Sequence, residues 1–199
     1  TPMIAAYRTG VGVLSRLAGA DVFVYDVGMI PDLPADCEAV DKKIRRGTAN
    51  MRREPAMTRE EAVKALEIGI EAANEAIEKG YKVLGTGEMG IGNTTPSTAI
   101  FAVLGDVDPE EITGVGANLS EDLTKNKAQV IRDAIALNKP DKNDPVDILS
   151  KVGGLEIAAM TGVMLAGAAC HVPVVVDGYI STASAAIAIA LKPEVKDYL

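Results

Sequence analysis

A turn rich in glycine is the part of this sequence whose residue types and spacing best suit binding chemistry. Four glycines precede three residues that favour the start of a helix, in the run Gly85-Thr86-Gly87-Glu88-Met89-Gly90-Ile91-Gly92-Asn93-Thr94-Thr95. Glycines let the backbone direct its N–H groups towards an anion, and the N-terminus of the next helix favours negative charge. The run therefore predicts a phosphate site, with Gly90, Asn93 and Thr94 as candidate residues.

This glycine turn differs from the familiar nucleotide signatures. It lacks the lysine of the P-loop, and it matches the dinucleotide fingerprint only in the count of its glycines. An alternative interpretation is that the glycines serve only a tight crossover from a strand to a helix.

Glu88 lies inside the glycine turn. A bound phosphate would repel its carboxylate unless the side chain faces another part of the ligand, so a binding role would direct it to a ribose or a base. The alternative interpretation is a carboxylate that interacts with the dipole of the following helix. The residues alone leave both interpretations open.

A second glycine turn is Gly114-Val115-Gly116-Ala117-Asn118, and it precedes a predicted helix that carries Lys125 and Lys127. Its amides and one ammonium group could meet the same phosphate from another side, since two such turns would form a cradle. Gly116 and Lys127 are therefore candidate phosphate-binding residues. By itself, Lys127 is more typical of a solvated position on a helix.

Asp177 and Gly178 lie at the end of an apolar segment that is typical of a buried strand. A carboxylate at the carboxyl end of a strand lies where open α/β sheets bind ligands, and a ribose hydroxyl is its natural partner. The alternative interpretation is that Asp177 caps the helix that begins near Thr182.

His171 is the single histidine of the chain. It adjoins Cys170, but neighbouring residues point in different directions and no third ligand is spaced to complete a metal site. The lack of a second histidine disfavours a serine or cysteine triad. The sequence therefore predicts neither a metal site nor a cofactor, and we expect Cys37 and Cys170 to be reduced thiols.

Helices and strands alternate around these candidate residues. Apolar runs predict strands at residues 21–27, 81–85 and 172–177. The strongest helix signal has Thr58 as its N-cap, Glu61 three residues later and Gly80 at its end. Further helices are predicted at residues 94–104, 119–137, 145–152, 155–169 and 182–191. Strands preceded by helices indicate one α/β domain over residues 1–199, with a layered, Rossmann-like parallel sheet and flanking helices.

The composition excludes several classes of partner. The chain of 199 residues holds 28 acidic and 20 basic residues, with a pI of about 4.7, so it has no excess of cations to neutralise a nucleic acid backbone. Its apolar segments are too short to span a bilayer, and the first residues show no export signal. We therefore expect a cytoplasmic protein that binds neither nucleic acid nor membrane.

Five segments, in the correct order, resemble the nicotinate-nucleotide:dimethylbenzimidazole phosphoribosyltransferase family. They are residues 47–50 with 54–58, then 85–95, 114–118, 153–158 and 174–181. The resemblance covers nearly the whole chain and implies a parallel α/β fold with a smaller helical part. It also implies a step of cobamide (vitamin B12) biosynthesis. In that step ribose 5-phosphate moves from nicotinate mononucleotide to a nitrogen of 5,6-dimethylbenzimidazole, giving nicotinate and α-ribazole 5′-phosphate with inversion at the anomeric carbon.

The resemblance also implies roles for individual residues. The positions that match the family's phosphate and ribose contacts are Gly90, Gly116, Lys127 and Gly178, with Asp177 and Glu88 beside them. The leaving pyridine departs neutral, so the reaction needs a fixed phosphate, a positioned acceptor and a carboxylate that takes the acceptor proton. The family's general base lies in a segment that would follow Leu199, which leaves the base unassigned and Glu88 as the fallback candidate.

Family members are longer than this chain at both ends. We therefore expect a fragment, a trimmed form or a natural short form completed by another chain, with the smaller helical part of the family largely missing. A homodimer, or a heteromer with a paralogous subunit, is expected because the family tends to form dimers.

Three hypotheses for function follow. The first is a transferase of this type whose acceptor is a benzimidazole or a phenolic base, since paralogous subunits of the family attach phenolic lower ligands. The second is a module or subunit that binds a nucleotide or a base without turnover. The third is an α/β domain whose glycines are only structural.

Overall fold

The computed structural model describes residues 1–113 and 121–199, with side chains in the second range from residue 126 onward. The chain divides into two compact units, Thr1–Gly47 and Thr48–Leu199. In the first unit lie α1 (Pro2–Ala5), α2 (Gly10–Ala18), β1 (Tyr25–Asp26) and β2 (Val40–Asp41). In the second lie α3 (Arg59–Glu78), β3 (Leu84–Gly85), α4 (Thr94–Gly105), α5 (Pro109–Ile112), α6 (Glu121–Asn138), α7 (Pro145–Val152), α8 (Leu155–Ala169), β4 (Val174–Val175), α9 (Tyr179–Leu191) and a 3-10 helix (Pro193–Tyr198).

Helices alternate with short parallel strands, which confirms the predicted α/β class. The predicted bounds of α7 and α8 are those observed, and α9 begins earlier than predicted, at Tyr179. The predicted strands were too long, because each of β1, β3 and β4 has only two residues. A strand needs a lateral partner at every position, and here each pairs with a single neighbour over that short length.

The first unit is held together by parallel strands and a buried carboxylate. Strand β1 pairs with β2, with Tyr25 opposite Val40. The Asp26 side chain is buried, accepts hydrogen bonds from the backbone N–H groups of Gly28 and Met29, and forms an ion pair with Lys43 at 3.3 Å. These bonds fix the segment between the two strands.

Helix α3 begins at the capping box that the sequence predicts. The Thr58 hydroxyl accepts from the Glu61 backbone N–H at 3.1 Å, and the Glu61 carboxylate accepts from the Thr58 N–H at 2.8 Å. This reciprocal pair satisfies two N–H groups that have no partner inside the helix. Gly80 follows the end of the helix with φ of 97°, a value that glycine adopts without strain.

Helices α3 and α8 pack with their backbones in near contact. A Cβ atom built on Gly69 would lie 1.8 Å from the Ala159 carbonyl oxygen, and one on Gly162 would lie 2.0 Å from the Leu66 carbonyl oxygen. Any side chain at either glycine would overlap the facing backbone. Within the described ranges, no helix is both long and apolar enough to cross a membrane.

Strands β3 and β4 bring the two candidate ligand loops to one edge. They pair in parallel, with Leu84 opposite Val174 and Gly85 opposite Val175. Behind them lies a buried cluster of Met164, Val174, Ala185, Ala188 and Val195. Because the carboxyl ends of parallel strands meet at the same edge, the glycine turn and residues 176–178 emerge side by side.

Candidate functional site

The glycine turn is joined to β4 and to α9 by hydrogen bonds of Thr86. The Thr86 hydroxyl donates to the Ser181 hydroxyl at 3.3 Å, and the Thr86 backbone N–H donates to the Val175 carbonyl oxygen at 3.4 Å. Residues from the ends of β3 and β4 therefore form one continuous surface, to which Asp177 and Gly178 contribute exposed positions.

Three glycines of this surface have a backbone conformation that other residues rarely adopt. The φ angles are 74° at Gly90, 75° at Gly92 and 88° at Gly178. A Cβ atom on Gly92 or Gly178 would meet no atom within 4 Å, so these two residues are required for the turn and not for close packing. The same open space leaves room for a ligand to approach the backbone.

The Glu88 carboxylate folds back onto its own turn. Its Oε2 atom accepts hydrogen bonds from the Gly90 backbone N–H and from the Asn93 side-chain amide. The Gly90 N–H group of the glycine turn is therefore already bonded to Glu88. The carboxylate is only partly exposed.

Asn93 occupies the N-cap position of α4, but its side chain does not cap the helix. Its backbone carbonyl oxygen accepts from the Ser97 hydroxyl at 2.9 Å, and its side chain is 4% exposed and turned to Glu88. Among the residues that the structure describes, no side chain accepts from the N–H groups at the start of α4, which is the arrangement that attracts an anion.

Lys127 supplies a cation at this helix start. Its Nζ atom donates to the Thr94 hydroxyl at 2.9 Å, so α6 and α4 meet there. Burial lowers the pKa of Lys127 below its ordinary value. The predicted partners Thr94 and Lys127 are thus brought together, whereas Gly116 lies outside the described residues.

Glu156 is a second carboxyl group near the turn, and sequence reasoning did not select it. It lies in the first turn of α8, and its carboxyl oxygens lie 3.0 Å from the position that a Cβ atom on Gly154 would take. Burial, and then the charge of Glu88, raise the pKa of Glu156, against the opposing effect of hydrogen bonds from its own backbone N–H and from Asn93. The available signal was its position in the motif at residues 153–158.

Tyr179 adds an aromatic ring at the same edge, and it too was missed. Its hydroxyl lies 2.9 Å from the Thr98 hydroxyl, and its ring centroid lies 5.2 Å from that of Phe101. The residue is 43% exposed at the first position of α9. Helix α4 thus fixes one face of the ring and leaves the rest accessible to a planar ligand.

The family of this chain follows from comparison with known proteins. The family model described as "Phosphoribosyltransferase" matches residues 2–199. The chain belongs to this phosphoribosyltransferase family. A family match of this extent agrees with the predicted resemblance, which is confirmed.

Two similar phosphoribosyltransferases carry the name nicotinate-nucleotide–dimethylbenzimidazole phosphoribosyltransferase. The protein of Alkaliphilus metalliredigens is 56% identical over 191 residues, and that of Clostridioides difficile is 54% identical over 190 residues. The match covers 96% of this chain but 55% and 54% of those proteins, so the chain spans about half of their length. The crystal structure of CobT from Thermus thermophilus is similar with a TM-score of 0.93 and 37% identity, over 99% of this chain and 59% of that one.

In this phosphoribosyltransferase chain, the predicted site residues fall into two groups. Glu88, Gly90 and Asn93 are linked by hydrogen bonds, and Thr94 contacts Lys127. Asp177 and Gly178 lie on the neighbouring loop. Within residues 1–113 and 126–199, no three His, Cys, Asp or Glu side chains are grouped to hold a metal.

Proposed function

We propose that this chain supplies the phosphate- and ribose-binding part of an enzyme that transfers ribose 5-phosphate from nicotinate mononucleotide to 5,6-dimethylbenzimidazole. The products would be nicotinate and α-ribazole 5′-phosphate. The observation that carries the proposal is the Lys127 ammonium, 2.9 Å from the Thr94 hydroxyl, at a helix N-terminus that follows a glycine turn and that the Asn93 side chain does not cap. The names of the similar proteins supply the substrates.

In this proposal the phosphate binds between the start of α4 and Lys127. Backbone N–H groups and an ammonium are the donors that suit a phosphate, and they act together with the positive end of the helix dipole. The Glu88 Oε2 atom does not need to face the phosphate, because it is held by hydrogen bonds from Gly90 and Asn93.

The ribose and the base would lie along the edge formed by residues 177–179. Asp177 is exposed and offers a carboxylate to a ribose hydroxyl, while the conformation of Gly178 keeps the backbone accessible. The exposed ring of Tyr179 offers a surface for stacking of an aromatic base. The nicotinate ring departs neutral from the anomeric carbon, so the enzyme must chiefly hold the two substrates in line.

A second candidate function is binding without turnover. It is favoured by the geometry of Glu88, whose Oε2 atom accepts hydrogen bonds from its own turn, at Gly90 and Asn93, and is held there instead of facing an acceptor base. A chain of this kind would bind the nucleotide and release no product.

Nicotinate release tests the proposal. The chain, and in parallel the intact gene product, would be incubated with nicotinate mononucleotide and 5,6-dimethylbenzimidazole, and nicotinate would be measured by chromatography. We expect release that depends on the added base and equals the α-ribazole 5′-phosphate formed. Failure of the intact gene product with every benzimidazole and phenol tested would refute the transferase, and retained nucleotide affinity would then support the binding module.

Assembly and cellular location form part of the same proposal. We take the enzyme to act in the cytoplasm, as a homodimer or with a paralogous subunit. Light scattering of the purified gene product distinguishes a monomer from these assemblies.

A further inference from the structure

The Tyr179 hydroxyl is joined to the first turns of α4 through Thr98. The Thr98 hydroxyl donates to the Thr94 backbone carbonyl oxygen at 2.8 Å, and the hydroxyl oxygens of Thr98 and Tyr179 lie 2.9 Å apart. Thr98 is 1% exposed, so its hydroxyl is shielded from solvent. The three oxygen atoms therefore form a short chain of hydrogen bonds.

The direction of both hydrogen bonds follows from the chemistry of the three groups. A carbonyl oxygen only accepts, so the single hydroxyl proton of Thr98 points at Thr94. Two oxygen atoms 2.9 Å apart repel each other unless a proton lies between them, and Thr98 has no second proton to give. The proton between Thr98 and Tyr179 therefore belongs to Tyr179.

Tyr179 is left with an oxygen atom that only accepts. A phenol carries one proton, and the hydrogen bond to Thr98 uses it. The remaining lone pairs of this oxygen can receive an N–H or O–H group of a ligand, but the side chain has no proton to offer in return. A ligand atom that also accepts would be repelled at this position.

Packing holds this oxygen atom in one place. Tyr179 is the first residue of α9, and its ring centroid lies 5.2 Å from that of Phe101, with 54° between the ring planes. Phe101 packs against the ring, and Thr98 holds the hydroxyl. The exposed part of the ring therefore presents a flat surface that ends in a fixed acceptor.

We infer that Tyr179 selects the acceptor base by accepting a hydrogen bond from a ring N–H group, and that Thr98 is the positioning residue that keeps the Tyr179 oxygen an acceptor. This role rests on the proposed function, in which the base stacks on Tyr179, and it narrows the class of base. The base is a flat azole with one N–H group and one unprotonated ring nitrogen.

Such an azole has its hydrogen-bond donor and its nucleophile on different atoms. In 5,6-dimethylbenzimidazole one ring nitrogen carries the proton, and the other carries the lone pair that attacks the anomeric carbon. A hydrogen bond to Tyr179 holds the first nitrogen and leaves the second free. In a phenol one oxygen is both donor and nucleophile, so the same hydrogen bond would hold the reacting atom on the protein. The acceptor at Tyr179 therefore favours azoles over phenols.

The ribose is a poorer match for this oxygen atom. Ribose hydroxyl groups both donate and accept, so they gain nothing from a partner whose direction is fixed. The exposed carboxylate of Asp177 is a stronger acceptor for them, because hydrogen bonds to a charged group are the stronger ones. Tyr179 is thus left for the base.

A benzoxazole tests this role, because it has an oxygen atom in place of the N–H group of a benzimidazole at nearly the same size. Isothermal titration of the intact gene product with 5,6-dimethylbenzimidazole and with 5,6-dimethylbenzoxazole would measure the affinity for each base. We expect wild type to prefer the benzimidazole on the order of tenfold. Tyr179→Phe should remove most of this preference and weaken benzimidazole binding more than nicotinate mononucleotide binding.

Two substitutions at Thr98 separate positioning from packing. Thr98→Val keeps the shape of the side chain but frees the Tyr179 proton to point at the benzoxazole oxygen, so the preference should fall as in Tyr179→Phe. Thr98→Ser keeps the hydroxyl and should keep the preference. In the Tyr179→Phe background, Thr98→Val should change the preference no further, whereas a loss of packing would weaken binding of both bases alike.

Equal affinities of wild type for the two bases, or binding of neither, would overturn the inference. A loss in Tyr179→Phe that is confined to nicotinate mononucleotide would also overturn it, because the oxygen would then serve the ribose. Nicotinate release reports separately on the proposed function. A preference without release would support the role of Tyr179 and refute the transfer, and release without a preference would do the reverse.

Discussion

At the scale of single residues, the charge of the proposed anion site depends on Lys127. The chain carries a formal net charge of −8, and two carboxylates, Glu88 and Asp177, lie near the site. A phosphate would be repelled by this background unless a cation lay close to it. Lys127 meets this need because its ammonium is held against Thr94 at the helix start.

Replacement of Lys127 by Met should therefore weaken phosphate binding while preserving the length of the side chain. A charge-assisted hydrogen bond contributes about 1.5–3 kcal/mol, which corresponds to a loss of affinity on the order of tenfold to a hundredfold. Isothermal titration with nicotinate mononucleotide measures this loss. Since burial lowers the pKa of Lys127, wild-type affinity should also fall, as pH rises, at a lower pH than for an exposed lysine.

Lys192→Met is the matched control for this prediction. Lys192 follows the far end of α9, about 20 Å from Gly178 at a rise of 1.5 Å per residue, and pairs with Glu194. Its replacement should leave nucleotide affinity unchanged. Equal nucleotide affinities for wild type and Lys127→Met would contradict the prediction and would mean that Lys127 is a helix surface residue with no role in ligand binding.

At the scale of secondary structure, the helices were predictable because their signals are local. Thr58 and Glu61 lie within one turn of each other, and the predicted capping box is the one observed. Helix α7 starts directly after Asp144, and α8 starts directly after Gly154. Each of these start signals is therefore a sequence neighbour of the helix that it begins. Such signals need no knowledge of the rest of the fold.

The lengths of the strands and part of the candidate site could not be predicted from such local signals. The length of β3 depends on where β4 lies beside it, and that pairing joins distant parts of the chain. Glu156 likewise gains its environment from Glu88 and Asn93, which precede it by several elements. The motif at residues 153–158 marked the position, but only tertiary contacts indicate its chemistry.

The close contact of α3 and α8 predicts a severe effect of Gly162→Ala. An added Cβ atom would lie 2.0 Å from the Leu66 carbonyl oxygen, so the two helices must separate. Overpacking of this kind costs about 1–3 kcal/mol, which outweighs the gain in helix propensity of about 1 kcal/mol. Urea unfolding followed by circular dichroism measures the change.

Gly105→Ala is the control, because Gly105 also belongs to a helix. A Cβ atom there would contact the Val107 side chain at 3.5 Å, an ordinary distance. The stability of the Gly105→Ala variant should stay near that of wild type or rise slightly. An unchanged urea midpoint for Gly162→Ala would mean that the two helices can move apart without loss of stability, which would contradict the prediction.

At the scale of the whole molecule, two sets of carboxyl groups make folding stability depend on pH in opposite directions. Hydrogen bonds from arginine side chains hold the pKa values of Asp108 and Asp144 below the ordinary 3.8, so their contribution is lost as pH falls through those lowered values. The raised pKa of Glu156 has the reverse effect. Its contribution is complete below 4.5 and is lost as pH rises through the raised value.

The variant Glu156→Gln should therefore be more stable than wild type at high pH and similar to it at low pH. Because the pKa of Glu156 is raised in the folded chain, the folded state opposes its ionisation at high pH, whereas a glutamine at this position stays neutral at every pH. Urea unfolding at several pH values measures the difference. Glu67→Gln, at an exposed position of α3, should not change the pH profile, and a profile shared by all three proteins would contradict the prediction.

The first turn of α4 has a consequence for how affinity arises. Because Asn93 turns its side chain away from the helix, this turn lacks the cap that α3 receives from Thr58. A phosphate bound there would take the place of a capping side chain, a role that contributes about 1 kcal/mol to helix stability. The ligand would then complete an element of secondary structure, and part of its binding free energy would be the folding energy of that turn.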